Sequence, residues 1–102
     1  MAQRQRSDMP LPGRPADPDL AAAAAGSQGA WDRLVERHAQ RVWSTARAFG
    51  LGDDTAAHVC LVAWARLVDH LDELSTDDEV RDWLSTAAEC EARRTLYSEH
   101  RL

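Results

Sequence analysis

The sequence predicts an all-α fold, a compact bundle of three long helices plus one short N-terminal helix. Three observations predict it. Apolar residues recur at three-to-four spacing in three separate windows. Each helical stretch opens on a start signal and closes on a stop signal. Nothing alternates with period two, and no Asn-Gly or Asp-Gly pair marks a hairpin. The 102 residues, 44% hydrophobic, suffice for one domain with one core and leave no room for a second domain of useful size.

Residues 1–16 combine Gln, Arg, Ser, Pro10, Pro12, Gly13 and Pro15 with almost no apolar content. Such a stretch cannot offset the entropy of ordering, so a disordered, slightly basic arm is expected there, with the helical domain over 17–102. Asp17 is placed to cap a short helix over 18–25, with Pro18 at its first position and Gly26 closing it in the left-handed conformation. Ser27 caps the next helix. Leu34, Val35, His38, Val42, Ala46 and Phe49 form its apolar face as far as Gly50, with Asp32, Arg33, Glu36, Arg37, Gln40 and Arg41 opposite. A third helix begins after Gly52 and is expected over 54–74, on a broad stripe of Val59, Cys60, Ala63, Trp64, Leu67, Val68, Leu71 and Leu74. Thr76 and Glu79 spell a T-x-x-E capping box, and Asp77 and Asp78 suit the positive end of the helix dipole. The fourth helix, expected over 77–98, opens a stripe of Val80, Trp83, Leu84, Ala87 and Ala88. Trp31, Trp43, Trp64 and Trp83 are expected to supply much of the buried area.

The chemistry that is missing narrows the function. His38, His58, His70 and His100 form no H-x-x-x-H or H-E-x-x-H pair, and Cys60 and Cys90 lie thirty residues apart, so no metal or other cofactor is expected. There is no Gly-rich phosphate loop and no G-x-S-x-G elbow, and capping explains the carboxylates at helix starts. The reading is therefore not an enzyme. Two cysteines are too few for a disulfide framework and are expected to sit reduced in a helical core. No apolar run approaches the roughly 20 residues of a membrane span, and no signal-peptide pattern precedes the domain, so a cytoplasmic location is expected. Every cation among the twelve is arginine, and the net charge of −5 is unevenly spread. Residues 1–16 carry +2, 17–49 balance, and 50–75 and 76–102 carry −4 and −3. That balance argues against a generic nucleic-acid binder, which needs a basic face for phosphate.

Three strings in order point to a family. D-L-A-A-A-A-A-G-S-Q-G-A-W-D-R-L-V-E-R-H-A-Q-R-V-W-S-T-A-R-A-F-G-L begins at Asp19, D-D-T-A-A-H-V-C-L-V-A-W-A-R-L-V-D-H-L-D-E-L at Asp53, and V-R-D-W-L-S-T-A-A-E-C-E-A-R-R-T-L at Val80. Together they cover about three quarters of the chain and resemble region 2 of an extracytoplasmic-function sigma factor of bacterial RNA polymerase; the specificity lies in the whole order. The resemblance implies that helix 54–74 contacts RNA polymerase core through Asp54, His58, Leu61, Val62 and Arg66. It also implies that helix 77–98 contacts the non-template strand of minus-ten promoter DNA through Glu89, Cys90, Arg93 and Arg94.

Reading back from Trp64, the family's D-V-V-Q-E-T-W pattern has its Asp, Gln and Glu at His58, Leu61 and Val62. Docking with apolar groups there leaves polar groups of the partner unpaired, at about 1–3 kcal/mol each. Glu89 places an acid where phosphate approaches, although Arg93 and Arg94 follow one turn later. The chain stops at Leu102, before the helix-turn-helix with which the family reads the minus-thirty-five element, so promoter affinity is expected to be weak. Two functional classes follow. One is a transcription-initiation or regulatory protein acting on polymerase and promoter. The other is a protein-interaction module whose apolar Leu61 and Val62 bind a companion sigma subunit or an anti-sigma factor without DNA. Leu61 and Val62 either form that exposed patch or widen the core stripe of a more deeply buried helix.

Overall fold

The computed structural model describes residues 16–100, and the arm expected over 1–16 lies outside them except for Ala16. Among the described residues four α-helices form: α1 (Pro18–Ala24), α2 (Gln28–Arg47), α3 (Asp53–Val68) and α4 (Asp77–His100), with a short 3-10 turn at Leu71–Glu73 between the last two. No strand occurs among the described residues.

Local chemistry accounts for most of the boundaries. The Asp17 carboxylate accepts from the Asp19 amide at 3.0 Å, and the Ser27 hydroxyl from the Ala30 amide at 3.2 Å, each satisfying a donor that a helix start leaves without a partner. Gly26 and Gly50 end their helices at φ of +105° and +79°, where a side chain would be strained. The capping box closes in both directions. The Glu79 amide donates to Thr76 Oγ1 at 3.2 Å, while Glu79 Oε1 accepts from the amides of Thr76 at 3.2 Å and Ser75 at 2.7 Å.

The third helix departs from expectation, since it ends at Val68 rather than Leu74. The Asp69 amide donates to the Arg66 carbonyl at 3.1 Å and the His70 amide to the Leu67 carbonyl at 2.8 Å, both tightened to three-residue spacing, and His70 leaves helical geometry at φ −118°, ψ 7°. No glycine or proline marks the break. Tertiary packing makes it, because the turn swings Leu71 into burial beside Ala23 of α1 and Trp31 of α2.

Leu20, Leu34, Val42, Val59, Leu67, Val80 and Leu84 are the largest fully buried side chains, and Ala30, Ala46, Ala56, Ala63, Ala88 and Ala92 bring the helix backbones close between them. The tryptophans are placed differently from expectation. All four are half-buried and pack against the rim of the core. Trp31 and Trp64 meet edge to face at 5.8 Å, and Trp83 lies against the His70 ring at 5.2 Å. Rings of that size do not fit where alanines set the helix spacing, so they close the seams instead. Val68, expected in the core stripe, is 53% exposed. Cys60 is half-buried, where burial pushes its thiol pKa up, but Cys90 is exposed rather than in the core.

Candidate functional site

The inner row of α3, Ala56, Val59, Ala63 and Leu67, is fully buried. Helical geometry then forces the positions between them outward. Asp54, His58, Leu61, Val62 and Arg66 share that outer side, four or fewer residues apart. Asp54, His58 and Arg66 are exposed, Val62 is half-buried, and Leu61 is 67% exposed. Leu61 therefore does not widen the core stripe. With exposed Ala57, Ala65 and Val68 it forms an apolar ridge along two turns and more of helix, flanked by Asp54, His58, Arg66 and Asp69.

Arg66 leans from this row toward α4, where Nη2 lies 3.5 Å from Glu91 Oε1. That oxygen is buried and accepts no hydrogen bond, so the Glu91 carboxylate, only 12% exposed, is compensated by charge rather than by a donor in contact. Arg94 adds a second positive charge at 4.0 Å.

The four residues expected to face DNA on α4 divide between two sides. Glu89 and Arg93 face α2, where Glu89 lines a groove with Arg41 and Phe49 and the Arg93 guanidinium lies 5.6 Å from the Phe49 ring. Cys90 lines the opposite groove, against α3, and Arg94 pairs with Glu91. The structure thus keeps the α3 set together and splits the α4 set.

That opposite groove, about 600 Å³, runs between the end of α3, the 3-10 turn and the first half of α4. Leu74, Trp83 and Ala87 supply its apolar surface, and Glu73, Glu79 and Asp82 its acidic side. Both of its basic groups are engaged, Arg66 with Glu91 and His70 Nδ1 with Glu73 Oε1 at 3.0 Å.

Sequence reasoning also missed a charge cluster at the helix starts. The Arg37 guanidinium of α2 donates to Asp17 at 2.6 Å, Asp19 at 3.0 Å and Asp77 at 3.1 Å. His38, 5% exposed, sets Nε2 2.8 Å from Asp77 Oδ1. Burial pushes the Asp77 carboxyl upward, but the His38 bond and the Arg37 charge outweigh it and hold the pKa below the usual carboxylate range. An ionised carboxylate only accepts, so His38 Nε2 carries the proton of this bond. Asp19 is lowered too, chiefly by its bond to Arg33 at 3.0 Å. The signal was present as Asp17, Asp19 and Asp77 at helix starts, but their convergence on one arginine is a long-range property.

Among the described residues no group of His, Cys, Asp and Glu is placed to hold a metal, and no helix is long and apolar enough to cross a membrane. No family model, curated protein or solved structure matches the chain.

Proposed function

We propose that this chain is a sigma-region-2-like transcription protein that works by docking, its outer α3 row seated on RNA polymerase core. The observation that carries the reading is Leu61. At 67% exposure in mid-helix, beside exposed Val68, it stands clear of the core, so the row that the resemblance assigns to polymerase is open to a protein partner. In this reading α4 follows onto minus-ten DNA, with Arg93 and Arg94 as the attractive groups. Their placement on different sides of the helix and the net charge of −5 make that contact weak without polymerase. The setting is the cytoplasm, where polymerase works.

A second reading is favoured by the same residue. Leu61 and Val62 stand where the resemblance calls for an amide and an acid, so the ridge suits an apolar partner face better than a polar one. The partner is then a companion sigma subunit or an anti-sigma factor, and DNA is not bound.

Binding of the purified chain to core polymerase at low salt separates the two. The first reading expects measurable binding that the double variant Leu61→Gln, Val62→Glu strengthens about ten-fold or more, the effect of removing one or two unpaired groups at about 1–3 kcal/mol each. Absence of core binding by both proteins overturns it and leaves the companion-subunit reading.

A further inference from the structure

The groove between α3 and α4 is elongated, and its two ends differ in charge. From Glu79 to Cys90 it follows three turns of α4, about 16 Å, which is the reach of about five residues of extended peptide. Trp83, Leu74 and Ala87 floor it, with the Trp83 ring half-buried against His70. The end beside the 3-10 turn carries Glu73, Glu79 and Asp82, and the other end carries Arg66, already engaged by Glu91.

Each of the three carboxylates spends one oxygen inside the protein. Glu73 Oε1 meets His70, Glu79 Oε1 takes the amides of Ser75 and Thr76, and Asp82 Oδ1 takes Arg81 at 3.2 Å. The second oxygen of each is left to accept from outside. Around them, residues 69–82 hold seven acids against Arg81. Such a rim repels phosphate, so the groove does not suit nucleic acid. Complementary charge over an apolar floor with an indole ring calls instead for arginine or lysine next to apolar side chains.

We propose that this groove docks a basic, partly apolar peptide segment of a protein partner, its cations on Glu73 and Asp82 and an apolar side chain on Trp83. None of these three residues belongs to the outer α3 row, so the proposal does not rest on the polymerase reading. It gives α4 one side for protein, lined by Cys90, opposite the side where Arg93 lies over Phe49.

The probe is the peptide acetyl-Arg-Leu-Arg-Leu-Arg-Leu-amide, titrated into the full chain at low salt. Binding is followed by the NMR signals of the tryptophan indole N–H groups, with that of Trp83 identified through Trp83→Phe. The expected result is saturable movement of the Trp83 signal with a dissociation constant on the order of 100 µM, while the signals of Trp31, Trp43 and Trp64 stay in place. Exchanging every Leu of the peptide for Ser, or every Arg for Glu, should each weaken binding about five-fold or more. The double variant Glu73→Gln, Asp82→Asn, at two exposed positions outside the core, should do the same. A Trp83 signal unmoved at about 1 mM peptide overturns the proposal, including the case in which the chain itself or a second copy already covers the groove. Binding that the Ser peptide or the double variant keeps in full also overturns it, because the contact is then unspecific charge attraction or lies elsewhere.

Discussion

Asp77 takes a hydrogen bond from His38 and another from Arg37, and with Asp19 it is held ionised below the usual carboxylate range. A carboxyl whose folded pKa is depressed contributes stability that is present above its unfolded value, about 3.9, and is lost as pH falls through the folded value. Urea unfolding followed from pH 7 to pH 2 should therefore show stability falling below about pH 4. Asp77→Asn should be less stable at neutral pH and show a shallower acid limb; an acid limb unchanged by this substitution would refute the role given to Asp77. At this scale the sequence revealed residue types better than neighbours. The periodicity of α3 placed Leu61 at a boundary, and only the burial of Ala56, Val59, Ala63 and Leu67 on the other side settles that it faces out. His38 was legible as an inward residue because it falls in the apolar row of α2, but the carboxylate that satisfies it is 39 positions away.

Helix starts were the most legible elements, since a cap needs only side chains within about three residues of the backbone it serves. Thr76 and Glu79 meet both halves of the reciprocal box, and Ser75 donates to the same Glu79 oxygen. Thr76→Ala should cost about 1 kcal/mol, read as a lower urea midpoint with unchanged slope. A change in slope would instead mean that α4 had altered the unfolding unit. The end of α3 was not legible, for the complementary reason. Leu71 and Leu74 continue the helical spacing of the apolar stripe, so pattern alone extends the helix, while the gap beside Ala23 and Trp31 that receives Leu71 exists only after α1 and α2 have packed. The groove beside α4 shares this origin, because an uninterrupted α3 would not place Glu73 and Leu74 on its rim. The candidate ridge on α3 was half legible: its residues were named, and their joint exposure was not.

Across the whole molecule, one side chain in the middle of α2 holds the starts of α1 and α4 together. Arg37 reaches carboxylates 18, 20 and 40 residues away in sequence. Contacts that close such long loops pay chain entropy before they return anything, whereas helix caps and neighbouring-turn contacts do not. The arginine cluster should thus be absent from the folding transition state. Replacing Arg37 with Met should raise the unfolding rate about five-fold and leave the refolding rate nearly unchanged, consistent with a loss on the order of 1 kcal/mol after discount for a guanidinium 39% exposed. A chevron with the refolding limb displaced instead would place the cluster early on the pathway. The three-carboxylate clamp then bears on lifetime: it delays departure from the native state without guiding the chain into it, so its worth is counted in hours of persistence against proteolysis rather than in speed of assembly.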